Sequence, residues 1–548
     1  MTLGQATTQE TGFARRRVGP TYATGGMVAS AHPLVTATGV DVLRRGGNAV
    51  DAAVAAGLTA AVVMPEMCGL GGDLFAIVID PRRPAPTAYL GSGIAPRGAS
   101  YETMLAASPG HLQMPYQGPL AIGVPGMVDA YARLLEAYGS RAFGDVAEAA
   151  IGYAEGGHPV SIGLAELIAS QRELLSSFAS SAAVLLPDGS PPVAGTLLRQ
   201  TDLARTLRML VDDGPAAFYR GPLANRMTEA VRAIGGALSS DDLAGHTTVA
   251  EDPIEMDYGD YVVYQTGLPS QGLIHLQALS IYEALGHTGG ELGIHRQVEA
   301  TKIAFADRLA CARDPLFGET PVDDLLSDRW AVERAAVVGG RALVDVPVGK
   351  MDGGDTTYLC VADGAGMMVS LIQSVSSAFG SGVIAGDTGV VMNNRVGRGF
   401  TLEPDHPNVY APGKRTMHTL NCFAVADGTG EPILVGGTPG GDGQPQWNLQ
   451  LVSALIDEGL DVQAAIESPR WTVWPGTDPM TRPNPFELRV EDRAGDAVID
   501  ALVARGHAVR RIGDWGGGGD AQMISRDPAT GILAGGSDPR GEGQVHGF

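Results

Sequence analysis

The chain is poor in cysteine, in charge and in basic residues, and each shortage removes a class of protein. Only four cysteines occur in 548 residues (Cys68, Cys311, Cys360 and Cys422), far apart and in no metal-ligand spacing. A disulfide framework and a cysteine-built metal centre are not expected, and a reducing compartment is the default. Lys and Arg number 38 against 61 Asp and Glu, a formal net charge of −23. Such acidity opposes nucleic acid and anionic membrane as main partners. No apolar run reaches the roughly 18 residues that a membrane-spanning helix needs. Arg15-Arg16-Arg17 is not followed by an apolar core, so no signal peptide is recognised and a cytoplasmic location is expected. Charged residues make up 18 % while glycine reaches 76, which suits a tightly packed globule rather than a disordered chain.

What is present alternates between helical and strand patterns. Residues 1–25 read as a flexible polar lead-in. Helices are expected over 36–45 and 49–63, the second capped by Asn48 and ended by Pro65. The run Cys68-Gly69-Leu70-Gly71-Gly72-Asp73 then enters a strand over 74–79. A phosphate-binding glycine loop should open a helix and carry Lys-Ser/Thr, so nucleotide binding is not expected here. Further on, a strand is expected over 258–265 and helices over 273–285 and 295–313. The second helix carries Glu299, Asp307 and Arg308, which read as a structural ion-pair network. Residues 338–355 are rich in Gly, Val and Asp and read as a flexible tail. Strands over 420–426 and 432–435 precede helices over 446–457 and 464–470, and 475–485 reads as a loop. A strand over 486–490, a helix over 494–505 and a strand over 508–512 follow. A glycine-rich loop at 515–519 leads to the last expected strand, 521–525. This alternation implies a layered α/β protein.

The centre of the chain is Gly354-Asp355-Thr356-Thr357-Tyr358, followed by Val369-Ser370-Leu371-Ile372-Gln373-Ser374-Val375-Ser376. It reads as a loop feeding two short apolar strands joined at Asp363-Gly364-Ala365-Gly366, with the Thr356 hydroxyl at the root of a buried strand. Alone, Thr-Thr at a strand start is a pair of β-formers. Three further features accompany it in order: Ala121-Ile122-Gly123-Val124-Pro125-Gly126, a helix ending in Ala306-Asp307-Arg308, and Thr438-Pro439-Gly440-Gly441.

From about Val28 to Asp538-Pro539-Arg540 the chain resembles the gamma-glutamyltransferase family of N-terminal-nucleophile hydrolases. The resemblance implies a four-layer αββα sandwich and self-cleavage at Asp355-Thr356. The products are a large subunit, 1–355, and a small subunit, 356–548, held as an αβ heterodimer with (αβ)2 as the larger alternative. Thr356 becomes both nucleophile and N-terminus. The chemistry suits the residue, since a weak hydroxyl nucleophile needs a base and an α-amino group titrates near about 8. Ser374 falls where the family keeps a second hydroxyl beside the nucleophile. Gly440 and Gly441 fall on the oxyanion loop. No metal or organic cofactor is implied. Many members are exported, and the missing leader is a departure.

The glutamate-binding positions depart further. Ser92 stands where an Arg grips the α-carboxylate. Ser376, Arg395 and Arg398 replace the Asn, Gln and Asp that hold the α-amino group, and His418-Thr419 replaces a Ser-Ser pair. Arg395 would repel an ammonium and attract a carboxylate. The expected substrate is therefore a small carboxylate-bearing amide other than glutathione, such as an oxamate-like or dicarboxylic monoamide. The alternatives are a gamma-glutamyl hydrolase or transferase with a rebuilt pocket, a carbon–carbon bond hydrolase of a natural-product pathway, and a non-catalytic binding protein.

Overall fold

The computed structural model describes residues 18–110, 112–344, 356–474 and 487–548. Two seven-stranded antiparallel sheets face each other. One runs, in spatial order, Gln544–Gly547, Gly26–Ser30, Thr357–Asp363, Met368–Ser374, Asp73–Ile79, Thr87–Gly91 and Val249–Glu251. The other runs Thr21–Ala23, Leu533–Ser537, Gln522–Arg526, Pro432–Gly437, Phe423–Asp427, Tyr261–Gln265 and Ile254–Tyr258.

Side chains alternate across each sheet, so every central strand feeds two cores. Tyr358, Cys360, Ile372, Phe75 and Ile77 point between the sheets, where they meet Cys422, Ala424, Val435 and Ile524. Their sequence neighbours Leu359, Val361, Leu371, Leu74 and Ala76 point outward into a helical layer. The helix Ala49–Val63 is buried along its whole length in that layer. Its alanines allow close approach on every side, and Asn48 and Asp51 close its N-terminus as a reciprocal capping box. On the opposite flank Gly272–Leu285, Gly290–Cys311 and Gly443–Ile456 cover the second sheet through Val263, Phe423, Val425 and Leu434. The result is the expected αββα sandwich.

Several local expectations are corrected. The single strand expected over 258–265 is a hairpin, Ile254–Tyr258 and Tyr261–Gln265, turned at Gly259 with φ of +58°. The strand expected over 521–525 is not the last, because Leu533–Ser537 and Gln544–Gly547 follow it. Leu533–Ser537 escapes notice because glycines replace its branched residues, and packing requires them. A Cβ on Gly535 would lie 2.4 Å from Met27 Sδ. The lead-in is ordered by Thr21–Ala23, which pairs with that same strand; residues 1–17 lie outside the described residues. The helix expected over 464–470 spans Val462–Glu467, after which the chain enters the strand Trp471–Trp474. The loop expected at 475–485 lies outside the described residues. The stretch 338–355, expected as a tail, is described to Val344, and that part is tied down. His295 Nε2 pairs with Gly339 O at 2.9 Å, and Leu343 N donates to Glu299 at 3.0 Å.

Candidate active site

Strand register brings the candidate residues together. Thr357 pairs with Gln373, and Ser374 with Asp73. One step further along the hairpin sets Thr356 opposite Ser374, and the Thr356 hydroxyl donates to Ser374 Oγ at 3.3 Å. Gly91 pairs with Leu74, so the next step carries Ser92 beside Asp73. By the two-residue alternation that sends Tyr358, Ile372 and Phe75 inward, Thr356, Ser374 and Asp73 form one row at the end of the inter-sheet layer. Thr357 faces the other way, toward Met64 Sδ at 3.7 Å. It is a buried packing residue.

Three loops close over the row. Ser376, in a left-handed conformation with φ of +91°, donates its N–H to Ser374 Oγ at 2.7 Å. Few non-glycine residues adopt this backbone, and it costs on the order of 1–3 kcal/mol. Arg398 holds the turn by donating to Ser376 O at 2.8 Å. Arg395 is 3 % exposed and donates from Nε to Asp73 Oδ2 at 3.1 Å and from Nη1 to Thr419 Oγ1 at 3.3 Å. His418 Nε2 meets the same Asp73 oxygen at 3.0 Å, and its ring packs on Phe75. His418 Nδ1 accepts the Leu420 N–H at 3.2 Å, which leaves the ring proton on Nε2, facing Asp73.

Burial drives the His418 pKa down to about 4, with Arg395 adding to the effect. Burial opposes ionisation of Asp73, but His418 and Arg395 outweigh it and hold the carboxyl below its usual range. At neutral pH the cluster is an Asp73 carboxylate, a neutral His418 and two arginines. Asp73 is the site residue that sequence reading missed. The available signal was an acidic residue two positions before Phe75, on the face that points between the sheets.

Two consequences are measurable. His418 binds its proton more readily unfolded, where its pKa is near 6.5, than folded. Its contribution to stability is complete above about pH 6.5 and is lost as pH falls toward about 4, at roughly 1.4 kcal/mol per pH unit. The stability difference between pH 7 and pH 5, from denaturant titration, should shrink by about 2 kcal/mol in His418→Gln. An unchanged difference would contradict the assignment of a neutral His418. Ser374→Ala removes the partner of the Thr356 hydroxyl and leaves the Ser376 N–H unsatisfied, at about 1 kcal/mol or more for each. The variant should fold, with chain cleavage or turnover slowed about tenfold. Denaturing gels over time check this, and wild-type rates would remove Ser374 from the site.

Opposite the row, Gly440 and Gly441 follow the strand Pro432–Gly437 and precede the helix Gly443–Ile456. Their φ values of +126° and +56° lie in the region that favours glycine. Neither N–H has an acceptor among the described residues. Gly441 O is held by Gln271 Nε2 at 2.7 Å, and Arg308 Nη1 ties Gln271 Oε1 to Asp442 Oδ1 at 3.0 and 2.9 Å. The Arg308 that read as structural thus braces the loop from behind. Thr356 and Gly440 line one cavity of about 520 Å³, with Glu66, Glu166, Gly519 and Arg540. Arg540 is engaged by Glu491 and Asp538. A buried hydroxyl, two backbone N–H groups without acceptors beside it in the fold, and a cavity shared by Thr356 and Gly440 are parts that acyl transfer needs.

Residues 35–548 match the family described as Gamma-glutamyltranspeptidase. The chain belongs to that family. The Glutathione hydrolase-like YwrD proenzyme of Bacillus subtilis (strain 168) is 39 % identical over 95 % of this chain and 98 % of its own length. The Oxamate amidohydrolase proenzyme of Klebsiella pneumoniae subsp. pneumoniae is 36 % identical over 96 % of this chain and 99 % of its own. The cephalosporin acylase of Bacillus halodurans superposes with a TM-score of 0.89 at 35 % identity, covering 100 % of this chain and 99 % of that one. This gamma-glutamyltranspeptidase-family chain is accordingly an enzyme, a self-processing N-terminal-nucleophile amidohydrolase with the fold of its relatives. Asp355, expected to precede the cleaved bond, lies outside the described residues. No helix among the described residues is long and apolar enough to cross a membrane. His295, Glu299 and His507 also gather in the core, where His295 pairs with His507 at 2.9 Å and Glu299 with Lys302 at 2.8 Å.

Proposed function

We propose that the chain cleaves itself between Asp355 and Thr356, and that Thr356 then hydrolyses a small carboxylate-bearing amide other than glutathione. The freed α-amine takes the proton as Thr356 Oγ attacks the carbonyl. Gly440 and Gly441 N–H groups hold the oxyanion, and the ammonium returns its proton to the departing amine. Water, activated by the same amine, then attacks the ester and regenerates Thr356 with release of the acid. Ser374 orients the nucleophile.

The observation that carries the substrate class is a set of buried polar atoms without partners at the end of the row: Arg395 Nη2, Ser92 Oγ and Ser376 Oγ. Leaving such donors unpaired is costly, and a carboxylate satisfies all three. Arg395 spends Nε on Asp73 and Nη1 on Thr419, which leaves Nη2 of a buried cation for an anionic group. The 36 % identity to an oxamate amidohydrolase supports the same reading.

A second reading has one observation in its favour. Asp73 Oδ1 is also buried without a partner. It is an acceptor suited to an α-ammonium, as a gamma-glutamyl group requires. A substrate panel separates the two. Oxamate and succinamate should release ammonia faster than a gamma-glutamyl anilide releases its aniline. Saturable, efficient cleavage of glutathione or the anilide would overturn the first reading.

A further inference from the structure

The oxyanion loop has no side chains of its own with which to hold its shape. What it has is a wall. The Trp447 indole lies under four glycines from two separate segments. A Cβ would come within 2.1 Å of the ring at Gly440, 2.4 Å at Gly443, 2.6 Å at Gly518 and 2.8 Å at Gly519. Gly440 and Gly519 line the Thr356 cavity on the side away from the ring. A side chain at any of the four would displace the indole, and at Gly440 and Gly519 it would stand between indole and cavity.

The indole is itself fixed. Trp447 is 4 % exposed, and its Nε1–H donates to Thr472 Oγ1 at 2.9 Å. The Arg470 guanidinium sits 5.6 Å from the ring centroid, donates to Gly518 O at 2.6 Å and is anchored on Asp538 at 2.9 Å. One arginine therefore joins the plate to the glycine strip. Trp447 also lines a second cavity, of about 230 Å³, with Arg470, Trp471 and Gln297. The hydrogen bond to Thr472 and the Arg470 contacts are the directed interactions that hold the ring.

We infer that Trp447, pinned by Thr472 and Arg470, is a positioning residue for catalysis: it sets the Gly440–Gly441 N–H groups against Thr356. The inference rests on the reading of those amides as the oxyanion donors. Losing one such donor costs about a hundredfold to a thousandfold in rate, and tilting the loop without removing it should cost less. The effect should fall on the rate of acylation and spare binding, because Trp447 does not line the Thr356 cavity.

The test uses the processed enzyme, with the uncleaved Thr356→Ala chain as control, and p-nitrophenyl acetate, whose acyl group makes no demand on the Arg395 pocket. Trp447→Leu is expected to be cleaved before Thr356 as the wild type is, to keep KM within about twofold and to lose roughly tenfold to a hundredfold in acylation rate. Trp447→Phe keeps a flat ring but lacks the Nε1–H, so it should recover no further than the Thr472→Val level. Thr472→Val removes only the pinning hydrogen bond, at about 1 kcal/mol or roughly fivefold, and it decides the matter if the leucine variant does not fold. A p-nitrophenol burst in Thr356→Ala equal to that of the wild type would overturn the nucleophile reading and this inference with it. A silent Thr356→Ala together with wild-type acylation in Trp447→Leu, or in Thr472→Val, would overturn the positioning role alone.

Discussion

Thr356→Ala should remain one polypeptide of 548 residues and lose all measurable turnover, while its fold and melting temperature stay close to those of the wild type. The residue is 1 % exposed and makes one hydroxyl contact, to Ser374 at 3.3 Å. Removing a hydroxyl there costs about 1 kcal/mol at most in stability. Removing the nucleophile removes covalent catalysis altogether, and the rate that binding and the oxyanion donors support alone lies many orders of magnitude below that of the wild type. Thr356→Ser keeps the hydroxyl and the amine but loses the methyl group that restricts χ1, so it should cleave itself and turn over slowly. Gels report the first effect and ammonia release from oxamate the second. A cleaved, active alanine variant would remove Thr356 from both reactions.

The second large effect is expected at Arg395. The guanidinium is buried, and burial lowers its pKa to about 10 while the neighbouring Asp73 resists that shift. It stays charged at neutral pH. Arg395→Gln deletes the cation that is proposed to receive the substrate carboxylate and leaves Asp73 buried without it. A charge-assisted hydrogen bond is worth about 1.5–3 kcal/mol, so kcat/KM for oxamate should fall at least tenfold to a hundredfold. Breaking a buried ion pair from one side costs about 3–5 kcal/mol of stability. Arg395→Lys restores the charge without the planar fork, and should regain stability more than activity. Hydrolysis of p-nitrophenyl acetate, which carries no carboxylate to recognise, should change far less than oxamate hydrolysis in both variants. Equal losses on the two substrates would show that Arg395 holds the fold and not the substrate.

The parts of this site that were legible in the sequence are those set by local chemistry. Thr356 before Tyr358-Leu359-Cys360-Val361 marks a hydroxyl at the root of a buried strand, and Pro439-Gly440-Gly441 before a helix marks exposed backbone donors. In the structure Thr356 is buried at the strand root, and the Gly440 and Gly441 N–H groups have no acceptor among the described residues. Asp73 was hidden because its role depends on register between distant strands: it meets Ser374 across 301 positions of chain only once the sheet is assembled. The same applies to Gly519 and Arg540, which reach the cavity from the C-terminal strands, one of which is masked by Gly535 and Gly536. Trp447 reads as an ordinary helix residue until the four glycines around it are seen together. The charge of the Arg395 pocket was overestimated for a related reason. Arg395 was visible in sequence, but the Asp73 carboxylate that pairs with it was not.

The most direct measurement is the intact mass and N-terminal sequence of freshly purified, active enzyme. Two polypeptides are predicted, residues 1–355 and 356–548, the smaller beginning Thr356-Thr357-Tyr358. A single uncleaved chain of 56.7 kDa with full activity, or a new N-terminus at any other residue, would contradict the account.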